Sequence, residues 1–209
     1  MQTPQAVVFD IGNVLVEWHP ERLYERLIPD AAARAAFFAE TAIEEMNLAV
    51  DRGAPFRDHI YAHAAKHGSR GALVRAWHDC WPEMFSPAIP GSIELLRLLR
   101  RRGVKLLALT NFGAESFELA CTIYPVLSEF DIAIVSGREG TVKPEPRIYE
   151  ILEERTGLAG PELFFTDDKP ENIAAARRRG WQGHVFRNPP ALALELVERG
   201  LLAPHEMPA

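Results

Sequence analysis

Five short apolar runs constrain the fold more than any other feature of the chain: Ala6–Asp10, Val104–Thr110, Ile132–Ser136, Leu163–Thr166 and His184–Phe186. They are apolar almost throughout rather than at alternate positions, the pattern of strands buried on both faces. Helical patterns separate most of them. "IPGSIELLRLLRRRG" keeps its apolar residues on one face, carries basic residues in its last turn and stops at Gly103. "PEPRIYEILEERTG" opens on prolines suited to a helix start and ends at Gly157, and "KPENIAAARRRG" closes in the same way at Gly180. Strands alternating with helices imply a parallel sheet covered on both faces.

The alternation breaks once. Between about Glu17 and Ser86 no stretch reads as a strand. The pattern there predicts helices around Glu21–Leu27, Ala31–Ala39, Ile43–Val50, Phe56–His67 and Leu73–Trp81, with Pro20, Pro29, Pro55, Pro82, Pro87 and Pro90 at the joints. The expected fold is α/β: a Rossmann-like, doubly wound parallel sheet of about five strands. Residues 1–16 and 87–209 would form this core, and residues 17–86 a helical cap inserted after strand one.

A chain of 209 residues can bury a core of that size. Its formal net charge of −6, with no basic stripe, argues against nucleic acid as a partner. No apolar run reaches the length of a membrane span, and the N-terminal residues lack the basic segment of a secretion signal. Cys80 and Cys121 show neither metal-ligand nor disulfide-framework spacing, so reduced thiols and a cytoplasmic location are expected.

Open α/β sheets bind ligands at the carboxyl ends of their strands. The polar residues there are Asp10 after the first run, Thr110 and Asn111 after "LALTN", and Asp167 and Asp168 in "FFTDD". Lys143 lies in the loop "SGREGTVKPEP", held ahead of two prolines. Three carboxylates massed together repel one another and call for a cation, and hard oxygen ligands favour Mg²⁺. A carboxylate facing phosphorus could attack it to form an aspartyl phosphate. That attack brings anion to anion, so it needs Mg²⁺, a lysine and hydrogen-bond donors around the phosphoryl oxygens. The backbone N–H groups that follow Asp10, at Gly12 and Asn13, and the Thr110 hydroxyl are such donors.

The set resembles the haloacid dehalogenase superfamily of aspartate-nucleophile hydrolases, in its phosphatase branch with a helical cap. "FDIGNVL", "LTN", "VKPEPRIY" and "FFTDDKPENI" match its four motifs in order and span nearly the whole chain. The resemblance implies Asp10 as nucleophile, Thr110 and Asn111 as phosphate binders, and Lys143 as the charge that steadies nucleophile and phosphoryl group. It also implies Mg²⁺ held by Asp10, the Gly12 backbone carbonyl and Asp168, with Asp167 a coupled carboxylate reaching the metal through water. Trp18 and His19, where the chain leaves the strand end for the cap, are candidates for substrate contact.

One position departs from the pattern. Many phosphatases of this superfamily carry a second aspartate two residues after the nucleophile, as general acid and base. Here that residue is Gly12. Related phosphatases with glycine in this place include enzymes of sugar 1-phosphates, whose leaving groups need little protonation. The expected function is therefore hydrolysis of a small phosphorylated metabolite, a sugar phosphate first, as an Mg²⁺-dependent enzyme. A metal-independent 2-haloacid dehalogenase and a non-catalytic phosphometabolite-binding module are the alternatives, and the "TDD" pair speaks against the dehalogenase. His59, His63 and His67 fall on one face of a predicted helix, but no acidic third ligand stands nearby, so they read as a polar face rather than a zinc site.

Overall fold

The structure, a computed structural model, describes residues 2–206. In chain order its strands are β1 (Ala6–Phe9), β2 (Val16–Trp18), β3 (Phe85–Ala88), β4 (Lys105–Thr110), β5 (Ile132–Val135), β6 (Leu163–Asp167) and β7 (Gln182–Val185). Helices α1 (Pro20–Leu27), α2 (Ala31–Thr41), α3 (Ile43–Asp51), α4 (Phe56–Ala64), α5 (Gly71–Asp79) and α6 (Trp81–Met84) lie between β2 and β3. The remainder are α7 (Pro90–Arg101), α8 (Ala114–Ile123), α9 (Ser136–Glu139), α10 (Pro146–Thr156), α11 (Pro170–Arg178) and α12 (Pro189–Glu198).

Five strands form a parallel sheet in the order β5-β4-β1-β6-β7. β1 sits at its centre, with Val8 in register with Leu107 on one side and Phe165 on the other. Its side chains explain the unbroken apolar run. Val7 and Phe9 pack into one core with Leu95, Leu96 and Leu99 of α7 and Leu192 and Leu196 of α12. Ala6 and Val8 face the opposite core, built with Ile148 and Leu152 of α10 and Ile173 and Ala176 of α11. Each fully buried leucine contributes roughly 1.5–3 kcal/mol of transfer free energy, so both helical layers hold the sheet. Gly157 ends α10 in the left-handed region at φ 72, its N–H donating to the Glu153 carbonyl at 2.8 Å.

Two expectations from the sequence need correction. Residues 17–86 are not free of strand. β2 and β3 pair antiparallel where the chain enters and leaves the helical segment. The Ile89 N–H donates to the Leu15 carbonyl at 2.8 Å and the His19 N–H to the Met84 carbonyl at 2.8 Å, extending that ribbon at both ends. The helix predicted over Phe56–His67 stops at Ala64, and a 3₁₀ segment with Gly68 at φ 50 follows. His63 and His67 still meet at 3.2 Å, but the His63 ring bonds the Thr41 carbonyl at 2.6 Å. Among the described residues no helix is long and apolar enough to cross a membrane.

Candidate active site

All five parallel strands point their carboxyl ends the same way, and β1 carries Asp10 past the sheet edge between its two neighbours. The Asp10 N–H donates to the Thr166 carbonyl at 2.9 Å, prolonging the β1–β6 ladder by one residue. That bond fixes the backbone under the carboxylate. The chain then turns sharply, with Asn13 in the left-handed region at φ 58, where asparagine is among the residues best tolerated. The Asn13 side chain ties the turn at both ends. Its Oδ1 accepts from the Trp18 N–H at 2.9 Å, and its Nδ2 donates to Asp168 Oδ2 at 3.2 Å.

Asp10, Asp167 and Asp168 offer carboxylate oxygens that all lie within 4.8 Å of one another. Lys143 enters this cluster from the loop after α9, 1% exposed at its side chain, with Nζ 2.9 Å from Asp10 Oδ1 and 2.6 Å from Asp167 Oδ2. The loop is held in place by a reciprocal pair. Lys143 N–H donates to Asn111 Oδ1 at 2.7 Å, and Asn111 Nδ2 donates to the Lys143 carbonyl at 3.0 Å. Asn111, expected to bind phosphate directly, therefore also positions the lysine.

The electrostatics follow from the burial. Burial raises the Asp10 carboxyl from 3.8 to about 7 against the pull of Lys143, with Asp167 and Asp168 adding repulsion. Burial alone would lower the Lys143 ammonium, but Asp10 and Asp167 outweigh it and hold it above its ordinary value. Burial also raises Asp168, opposed by the hydrogen bond from Asn13. Three carboxylates and one ammonium leave the cluster short of positive charge. An all-oxygen donor set with surplus negative charge fits a hard divalent cation such as Mg²⁺. Asp167 has little capacity to spare. Beyond Lys143 it accepts from Asn172 Nδ2 at 2.9 and 3.0 Å and from the Lys169 N–H at 2.8 Å.

Every residue singled out from the sequence borders one cavity of about 620 Å³: Asp10, Gly12, Asn13, Trp18, His19, Thr110, Asn111, Lys143 and Asp168, with Asp167 buried just beneath. Sequence reasoning missed other parts of it. Asn172 looks like an ordinary first-turn helix residue, yet it clamps Asp167. Asn47 and Asp51 reach the cavity from α3, joined by a 3.0 Å hydrogen bond from Asn47 Nδ2. Burial raises Asp51 to about 7, opposed by Lys169 and by a backbone hydrogen bond at Gly113.

Sequence and structure comparisons show which proteins the chain is similar to. The sesquiterpene phosphatase astK of Aspergillus oryzae is 27% identical over 195 residues, covering 93% of this chain and 95% of that protein. Haloacetate dehalogenase H-2 of a Moraxella species is 31% identical over 87 residues, 42% of this chain and 39% of that protein. A HAD family enzyme of Bacteroides thetaiotaomicron, solved in complex with magnesium and inorganic phosphate, shares the fold at a TM-score of 0.69 and 21% identity, over 88% of this chain and 95% of its own. The haloacid dehalogenase-like hydrolase family matches residues 4–180, the span from the approach to β1 through the end of α11, and the chain belongs to that family of enzymes.

Proposed function

We propose that this hydrolase is an Mg²⁺-dependent phosphatase that cleaves a small phosphomonoester through an aspartyl phosphate on Asp10. The observation that carries the reading is the buried Lys143 ammonium seated between Asp10 and Asp167. It directs positive charge at the nucleophile and at the space where phosphoryl oxygens would sit. Both side-chain contacts to Asp10 fall on Oδ1, from Lys143 and from the Ile11 N–H at 2.7 Å, which leaves Oδ2 to attack. The Asp10 Oδ2–P bond forms as the ester P–O bond breaks, and water then attacks the aspartyl phosphate to release phosphate. With glycine at position 12, the departing oxygen takes its proton from water. Asp10, Asp168 and the Gly12 carbonyl would hold Mg²⁺, which supplies neutralisation of phosphoryl charge. Thr110 and the Gly12 backbone N–H would complete the phosphate cradle, because the Asn13 N–H, expected from the sequence to share it, donates instead to the Val16 carbonyl at 2.7 Å. The helices of residues 17–86 would act as a cap that excludes bulk water.

For the organic part, the motif resemblance favours a sugar phosphate, while the likeness to a sesquiterpene phosphatase adds an isoprenoid phosphate beside it. The carboxylate trio supports attack at phosphorus over attack at carbon, because a dehalogenase nucleophile has no need of a bound cation. Phosphate release from a panel of monophosphates, with Mg²⁺ or with chelator, tests the reading. Turnover is expected only with metal and is lost in Asp10→Asn. Halide release from 2-haloacids without metal, and no phosphate release, would overturn it. Tight phosphoester binding without turnover would favour the binding module.

A further inference from the structure

The roof of the cavity differs in character from its floor. Half-buried Trp18 and Phe38 and the buried Trp77, Trp81, Phe85 and Phe112 line the cavity that Asp10 and Lys143 also border. Trp18 is the hub, its ring centroid 5.8 Å from Trp77, 6.1 Å from Trp81 and 6.5 Å from Phe85. Trp81 in turn stacks on Phe85 at 4.9 Å and meets Phe112 edge-on at 5.7 Å. At the mouth, Leu48 of α3 is 43% exposed, one of the few large apolar side chains among the described residues left open to solvent.

Several polar atoms of the roof are committed within the protein, the indole N–H groups of Trp18 and Trp81 excepted. Trp77 Nε1 donates to Asn47 Oδ1 at 3.0 Å, and Asn47 Nδ2 donates to Asp51 Oδ2 at 3.0 Å. Ser116 Oγ donates to the Gly113 carbonyl at 3.1 Å. The side chains of His19, Glu21, Glu44 and Lys169 at the cavity are exposed and belong to its rim. A sugar pressed against this roof would exchange the water around several hydroxyls for indole and phenyl surface, with few free partners to replace it. An alkyl, isoprenoid or aryl group would lose apolar contact with water and gain a closely packed aromatic wall.

We infer that the cavity takes the monophosphate of an apolar alcohol, the aromatic roof and Leu48 receiving the hydrocarbon while Asp10 and Lys143 face the phosphate. The inference rests on the phosphatase reading for turnover, but its binding half stands apart from it. The test therefore has two arms, each comparing octyl phosphate with glucose 1-phosphate. In the first, phosphate release by the native enzyme with Mg²⁺ is measured, and kcat/KM is expected to favour octyl phosphate at least tenfold. In the second, both ligands are titrated into Asp10→Asn with Mg²⁺, following the fluorescence of the roof tryptophans. Octyl phosphate is expected to bind at least tenfold more tightly. Leu48→Lys, at an exposed site, should raise KM for octyl phosphate severalfold. Equal or weaker binding of octyl phosphate, or faster turnover of glucose 1-phosphate, overturns the inference. Preferential octyl phosphate binding with no turnover in any condition supports it and overturns the phosphatase reading instead.

Discussion

Replacing Asp10 by asparagine should abolish turnover and stabilise the metal-free protein. A carboxyl raised from 3.8 to about 7 by burial opposes folding, because the unfolded chain ionises it more readily than the folded one does. The difference corresponds to roughly 4 kcal/mol once pH exceeds 7. Asparagine removes that opposition, which is already net of the attraction of Lys143, but its own buried amide still needs partners, so the expected net gain is about 2 kcal/mol. Lys143 keeps Asp167 at 2.6 Å and is not orphaned. The sign of the pH dependence is fixed. For a carboxyl raised in the folded state, stability is fully present below the unfolded value of 3.8 and is lost as pH rises towards 7. The variant should therefore be the less stable protein near pH 4 and the more stable one by pH 8. Thermal unfolding in chelator across that range measures the gap, about 5 °C in Tm at pH 8 for a chain of this size. A variant less stable than wild type at pH 8, or a gap that does not change with pH, would refute the reasoning. Adding Mg²⁺ should stabilise the wild type and narrow the gap, since the ion binds the folded carboxylates and not the unfolded chain.

Lys143→Met leaves Asp10 and Asp167 buried without their shared cation and should cost roughly 3–5 kcal/mol at neutral pH, read by urea denaturation in chelator. Gly12→Asp should fold normally, because a Cβ there would stand 3.6 Å from Trp18 Cβ, an ordinary contact; supplying the absent acid should raise kcat on alkyl phosphates about tenfold to a hundredfold in a stopped assay. Gly113→Ala would place its Cβ 2.5 Å from Val50 Cγ1 and 2.9 Å from Ser116 Oγ, prising α3 from the loop after β4. That variant should lose about 1–3 kcal/mol in thermal unfolding and show a raised KM.

What could be seen in the sequence follows from what each element needs. The five parallel strands are buried on both faces, so each announces itself as an apolar run, and the polar residues after β1, β4 and β6 are the ones delivered to the cavity. Asp10, Thr110 and Asp168 were legible for that reason, whereas Lys143 lies in a loop and was legible only through the motif resemblance. β2 and β3 were not. "VEW" and "FSPA" are too short for a periodicity, Pro87 argues against a strand, and their pairing exists only because the intervening helices bring the ends together. The end of α4 was hidden because "AAKH" continues the helical pattern up to Gly68. The aromatic roof draws on residues from 18 to 112, and only the folded insert makes neighbours of them. Asn172 shows the same limit at one residue: its spacing places it on a helix, and only the fold turns it toward Asp167.

The β2–β3 ribbon means that the helical insert begins and ends at one point on the sheet. Closing a loop costs entropy that grows only slowly with its length, and the ribbon meets that cost locally, whatever lies between its strands. Helices could be added, shortened or exchanged beyond Trp18 and before Phe85 without moving β1 or the turn at Asn13. The proposed catalytic floor and the aromatic roof proposed to select the substrate are thus free to change at different rates, with a few backbone hydrogen bonds as the joint between them.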